Sequence, residues 1–140
     1  MKVSELAGPL LDYWTGRAAR ETMMMSNGMA QALRRATATT ETYSEYAPSV
    51  RWEEGGPLLD QFQVSIGRGQ IVEHLMHRDL DDNLNETLIP AARIERKYAT
   101  ARVIHTEAKY QGDTALIAGT RAIVASVYGP EVPDQPPQEA

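Results

Sequence analysis

The chain has 140 residues, 42% of them apolar, and a formal net charge of −5. That length and apolar share predict one folded domain and exclude general disorder. Scattered Lys and Arg on an acidic background exclude a nucleic-acid polymer as partner, and the lack of cysteine excludes disulfides, iron–sulfur clusters and thiol nucleophiles.

At the N-terminus, Ser4 is a fair N-cap and Glu5 suits the positive end of a helix. Pro9 would cost a hydrogen bond in a helix begun at Glu5, so Gly8-Pro9 offers the better start. Leu6, Leu10, Tyr13, Trp14 and Ala18 follow helical spacing, with Tyr13 and Trp14 assigned to the core. Residues 21–36 look helical but are broken at Ser26-Asn27-Gly28. The run Met23-Met24-Met25 gives a soft apolar surface that suits either an irregular core or another subunit. On that run and the Tyr/Trp content, a homo-oligomer is expected. Ala36 to Tyr43 is rich in Thr and Ala and predicts an extended segment.

The stretch Tyr46 to Ile66, YAPSVRWEEGGPLLDQFQVSI, is the most informative part of the chain. Pro48 forces Ala47 toward extended geometry. Gly55 and Gly56 precede Pro57, which is placed at the first position of a short helix carrying Leu58, Leu59 and Phe62. Phe62, Val64 and Ile66 then alternate as in a half-buried strand. A glycine-rich helix start leaves amides free for an anion. Arg51 adds a planar cation, and Trp52 and Tyr46 offer faces for stacking. Tyr46, Arg51, Trp52, Gly55, Gly56 and Pro57 therefore form a candidate pocket for a small anionic, ring-bearing ligand such as a nucleotide. The competing account puts Trp52 in the core, makes the glycines a turn and pairs Arg51 with Glu53 or Glu54. Those two glutamates also oppose an anion.

Gly67-Arg68-Gly69 predicts a turn and Gln70 to His77 a strand. His74 and His77 near Asp79, Asp81 and Asp82 lack a third ligand at a recognised spacing, so no metal is expected and Arg78 to Glu86 is assigned to an acidic loop. Tyr98 to Tyr110 alternates like a strand. His105 and Glu107 share a face on it by geometry alone, and no nucleophile is tied to them, so no catalytic residue is assigned. Asp113 or Thr114 caps a last helix bearing Leu116, Ile117, Thr120, Ile123, Val124, Val127 and Tyr128 on one broad face. Arg121 sits among these apolar positions and joins the candidate ligand-binding set. Gly129 and Pro130 end the helix. The boundaries expected are a domain over 1–130 and a flexible, Pro-rich acidic tail over 131–140, mobile or extended along the surface.

Three blocks, SELAGPLLDYWTGRA (4–18), YAPSVRWEEGGPLLDQFQVSI (46–66) and GDTALIAGTRAIVASVYGPEVP (112–133), resemble the NinX family of bacteriophage and prophage proteins. The resemblance rests on Leu11-Asp12-Tyr13, Tyr46-Ala47-Pro48-Ser49, Trp52, Gly55-Gly56-Pro57, Leu116-Ile117-Ala118, Arg121 and Val124-Ala125-Ser126. Residues 19–45 and 67–111 depart from it. The family is a domain of unknown function, so the resemblance implies origin: a small accessory phage protein acting inside the bacterial cell.

The fold class expected is α+β, a small mainly antiparallel sheet with an N-terminal and a C-terminal helix packed on it. No apolar run reaches membrane-spanning length and no signal-peptide core follows Met1, so a cytoplasmic location without membrane contact is expected. Function is expected to be non-catalytic and cofactor-free: sequestration of a small anionic ligand such as a nucleotide signal of host defence. The alternative is a module that binds and modulates a host protein through the Met-rich segment and the tail. An enzyme is the third choice.

Overall fold

The computed structural model describes residues 1–35, 40–80 and 82–137. A 3₁₀ turn, Val3–Glu5, precedes helix α1, Gly8–Ala18. Strands β1 (Met23–Ser26), β2 (Met29–Arg35) and β3 (Glu41–Glu45) follow, then helix α2 (Trp52–Gln61). Strands β4 (Val64–Leu80), β5 (Glu86–Val103) and β6 (Tyr110–Gly112) lead to helix α3 (Ala115–Tyr128). The expected α+β class is borne out, with two antiparallel sheets, β1-β2-β3 and β4-β5-β6, where one was expected.

Helix α1 starts at Gly8, with Gly8 at φ +58 and Pro9 in the first turn. It closes with the Glu21 amide on the Gly16 carbonyl at 2.9 Å, and Arg20 takes the left-handed conformation that this closure needs. The helix is not simply amphipathic. Leu11, Asp12, Tyr13, Trp14, Thr15 and Gly16 are all buried, because α1 packs on β1 and β2 and also on α3. Trp14 meets the rings of Tyr13 and Tyr128 edge-on, each at 5.4 Å between centroids.

Residues 23–35 form a hairpin rather than the broken helix expected. Asn27 and Gly28 have φ of 52° and 74° and link Ser26 to its partner Met29. Two adjacent positive-φ residues make the tight turn whose twist matches paired strands, and Asn-Gly is its best sequence signature. Met23 goes into the core and Met25 packs against it, while Met24 stays partly exposed. The expected extended segment at 36–43 lies within the described residues only from 40 onward, where Glu41–Glu45 pairs with β2.

Helix α3 is the central element, contacting α1, α2 and all three strands of the second sheet. Its Leu116, Ala118, Gly119, Thr120, Ala122, Ile123 and Val124 are buried. The buried Thr120 hydroxyl is satisfied by donating to the Leu116 carbonyl at 2.7 Å. Thr114 caps the helix by accepting from the Ile117 amide at 3.2 Å, and Gly129, at φ +86, ends it.

The expected turn at Gly67-Arg68-Gly69 is instead continuous strand. Gly69 lies opposite Tyr98, whose ring occupies the space a side chain would need. Strand β4 pairs with β5 over its whole length, so residues 87–96 belong to β5. The strand expected over 98–110 ends at Val103. His105 sits in the following turn at φ +65, which removes the shared strand face assumed for His105 and Glu107. Near the C-terminus, Glu131 bridges Lys2 and the Met1 ammonium donates to the Val132 carbonyl at 2.7 Å.

Candidate functional site

The stretch around Trp52 forms from three local causes. Ala47–Val50 turns, with the Arg51 amide on the Ala47 carbonyl at 2.9 Å. Glu54 reaches back from the first turn of α2 to accept from the Ala47 amide at 3.2 Å. Asp12 of α1 accepts from the Ser49 amide at 2.8 Å and fixes the loop to the core.

In that frame, the six neighbouring candidates separate. Helix α2 begins at Trp52, so Gly55, Gly56 and Pro57 lie inside it and not at its start. The Gly55 amide donates to the Arg51 carbonyl at 2.8 Å. Gly55 serves close packing instead: a side chain there would collide with the Pro48 carbonyl and come within 2.7 Å of Leu116. The expected cradle of free glycine amides is therefore not formed, because Glu53 and Glu54 supply a first turn upstream of the glycines. Arg51 is held by Glu45 at 3.1 Å and by Glu54 at 3.3 Å, as the competing account expected for Glu54. Tyr46 offers no open face. Its ring is buried under the Arg34 guanidinium, and burial pushes its phenol pKa up. Trp52, by contrast, is 60% exposed, and Val50 beside it is 68% exposed. With Leu116 and Ile117 they wall an apolar recess of about 190 Å³.

Arg121 lies elsewhere. Its Nε donates to the Leu6 carbonyl at 2.8 Å and its Nη1 to the Gln111 carbonyl at 2.6 Å, tying α3 to the N-terminal segment and to β6. Burial lowers its pKa from the ordinary arginine value, opposed by Asp113. Among the described residues, no carboxylate lies within ion-pair distance of it. It lines an open recess of about 470 Å³ with Ser4, Arg96, Tyr98, Lys109, Tyr110 and the carboxylate of Asp113. Antiparallel pairing of β5 with β6, Ala99 opposite Gly112 and Ala101 opposite Tyr110, brings these side chains together. Sequence reasoning singled out Arg121 but not Arg96, Tyr98, Lys109 and Tyr110, which line the same recess. The signal was two cation–tyrosine pairs, Arg96 with Tyr98 and Lys109 with Tyr110, which gain meaning only when β6 is known to fold back on β5.

Three cations and two phenol rings around one concavity can hold an anion that carries a ring. They supply no nucleophile with an adjacent base. Among the described residues, no group of three or more His, Asp or Glu is placed to hold a metal ion. The side chains of His74, His77, Asp79 and Asp81 lie outside the described set. No described helix is long and apolar enough to cross a membrane.

The family model described as Bacteriophage P22, NinX matches residues 2–75, a span from the 3₁₀ turn into β4. It contains two of the three resembling blocks, 4–18 and 46–66, and it includes Asp12, Ser49 and Trp52. Apart from Ser4, the residues of the Arg121 recess lie beyond it. No curated protein matches the chain.

Proposed function

This chain belongs to the bacteriophage P22 NinX family, and from that premise we propose that it is an accessory phage protein that acts in the host cytoplasm by binding and not by catalysis. Its ligand is a small anion bearing a ring, a nucleotide by chemical class, and sequestering that ligand is its task. One observation carries this reading. The half-buried Arg121 guanidinium, anchored by two carbonyls, stands in a recess with Arg96 and Lys109 and beside the Tyr98 and Tyr110 rings. An anchored guanidinium loses little freedom when it meets an oxyanion, and aromatic walls favour a planar ring over a bare ion. The test is calorimetry of the full chain against nucleoside mono-, di- and triphosphates, cyclic dinucleotides and inorganic phosphate. Heat with a nucleotide that disappears in Arg96→Ala/Lys109→Ala supports it. A silent panel removes it.

A second reading, a module that modulates a host protein, is favoured by the exposed Trp52–Val50 surface. Trp is enriched where partners are anchored. Phage complementation separates the two. Loss with Arg96→Ala/Lys109→Ala and retention with Trp52→Ala supports sequestration, and the reverse supports the protein partner.

A further inference from the structure

The β4–β5 ribbon is far longer than the body of the protein requires. Strand β6 covers β5 only at Ala99, Thr100 and Ala101. From Gln70 and Lys97 outward to Leu80 and Glu86, the two strands pair with each other and, among the described residues, with no third strand. Eleven residues at about 3.3 Å each make an arm of about 35 Å. A two-stranded ribbon is marginal in water by itself, and three strands or a packed face are needed for independent stability. Yet the arm carries Val72, Leu80 and Leu84 exposed to solvent, Leu84 to 79%. Both its length and its exposed apolar side chains call for a cover that the described residues of one copy do not provide.

The charge along the arm says what that cover is. By sequence the outer end holds Asp79 and Asp82 against Arg78, whereas the stem holds Arg68, Arg93, Arg96 and Lys97 against Glu73 and Glu95. Arg93 is already paired with Glu95 at 2.8 Å, which leaves the stem's excess on Arg68, Arg96 and Lys97. An acidic end and a basic stem on one rod complement a second identical rod laid antiparallel to it. We infer that this arm is a dimerisation element: two copies of the chain lay their ribbons side by side in opposite directions, so that each acidic end rests on the other's basic stem. The arrangement is isologous and closes at two copies. Among the described residues, strand β4 has an unpaired edge along the arm for the contact, while β5 carries Pro90 there, which lacks the amide donor a neighbouring strand needs.

The experiment is sedimentation of the full chain over the micromolar range at low and high salt, for wild type, Asp82→Lys and Lys97→Glu. Both positions are exposed and neither lines the Arg121 recess, and circular dichroism checks that each variant folds. The expected result is a wild-type dimer that weakens with salt, loss of dimer mass in each single variant, and its return when the two variants are mixed in equal amounts. A wild type that stays monomeric overturns the inference. So does a dimer indifferent to both substitutions, or a mixture that stays monomeric.

Discussion

The buried carboxylate of Asp12 accepts a hydrogen bond from the Ser49 amide, joining α1 to a loop 37 residues further along the chain. Burial is the largest influence on its pKa and raises it, with Glu54 and Glu45 acting in the same direction and the Ser49 bonds opposing. A carboxyl whose folded-state pKa is raised holds its proton more tightly in the folded chain. Its stabilising contribution is complete below the unfolded pKa and is lost as pH rises through the folded one. Asp12→Asn keeps an acceptor oxygen and cannot ionise. The stability of wild type relative to this variant should therefore fall as pH rises from the ordinary aspartate value through the raised one. Urea unfolding of both proteins across that range measures it, and a wild-type stability that rises relative to Asp12→Asn with pH contradicts the assignment.

Gly55 and Gly56 are neighbours in α2 with opposite expectations. Alanine at 55 meets the Pro48 carbonyl and Leu116 and should destabilise by roughly 1–3 kcal/mol, the usual penalty of overpacking. Alanine at 56 finds only Trp52 Cε3 at 3.5 Å, an ordinary contact, and should stabilise by about 0.5–1 kcal/mol through helix propensity. Thermal unfolding of the two variants decides it. Equal effects would mean that the loop does not press on the helix at Gly55.

The two tryptophans should behave as unlike probes. Trp14 is buried among Tyr13 and Tyr128, and Trp52 faces solvent. Fluorescence of Trp14→Phe, which reports Trp52, should be strongly quenched by iodide, and that of Trp52→Phe should resist. Truncation to alanine should cost about 3–5 kcal/mol at Trp14 and within about 0.5 kcal/mol at Trp52. A protected Trp52 would mean that something covers the Val50–Trp52 surface in solution.

Local chemistry made parts of this fold legible. Pro9 and Thr114 marked true helix starts, Gly129 a true stop, and the alternation from Val64 a true strand. The failures have physical causes. The helical look of 21–36 came from its methionines, but Asn27-Gly28 outweighed them by supplying two left-handed residues in sequence. Gly67 and Gly69 suggested a turn because what they accommodate, the Thr100 hydroxyl and the Tyr98 ring on β5, lies 33 and 29 residues further along the chain. Pro57 suggested a helix start, whereas Glu53 and Glu54 had already begun one. For the candidate site, Arg121 stood out as a cation between apolar neighbours. Its companions Arg96 and Lys109 did not, because only the fold of β6 onto β5 gathers them.

Arg121 is both part of the recess and part of the scaffold, and the two roles predict different responses. Its bonds to the Leu6 and Gln111 carbonyls hold the N-terminal segment and β6 against α3. Arg121→Ala deprives both carbonyls of a charged donor and should lower stability by about 1–3 kcal/mol. Lys109 is exposed at the rim, so Lys109→Ala should leave stability within about 0.5 kcal/mol. If the recess holds an anion, both variants should weaken nucleotide binding, and wild-type affinity should fall as salt is raised. Binding isotherms beside urea unfolding curves for the same two proteins separate the cases. A Lys109→Ala protein of wild-type stability and undiminished affinity would remove Lys109 from the binding site, and an Arg121→Ala protein that loses stability but not affinity would leave Arg121 its clamping role alone.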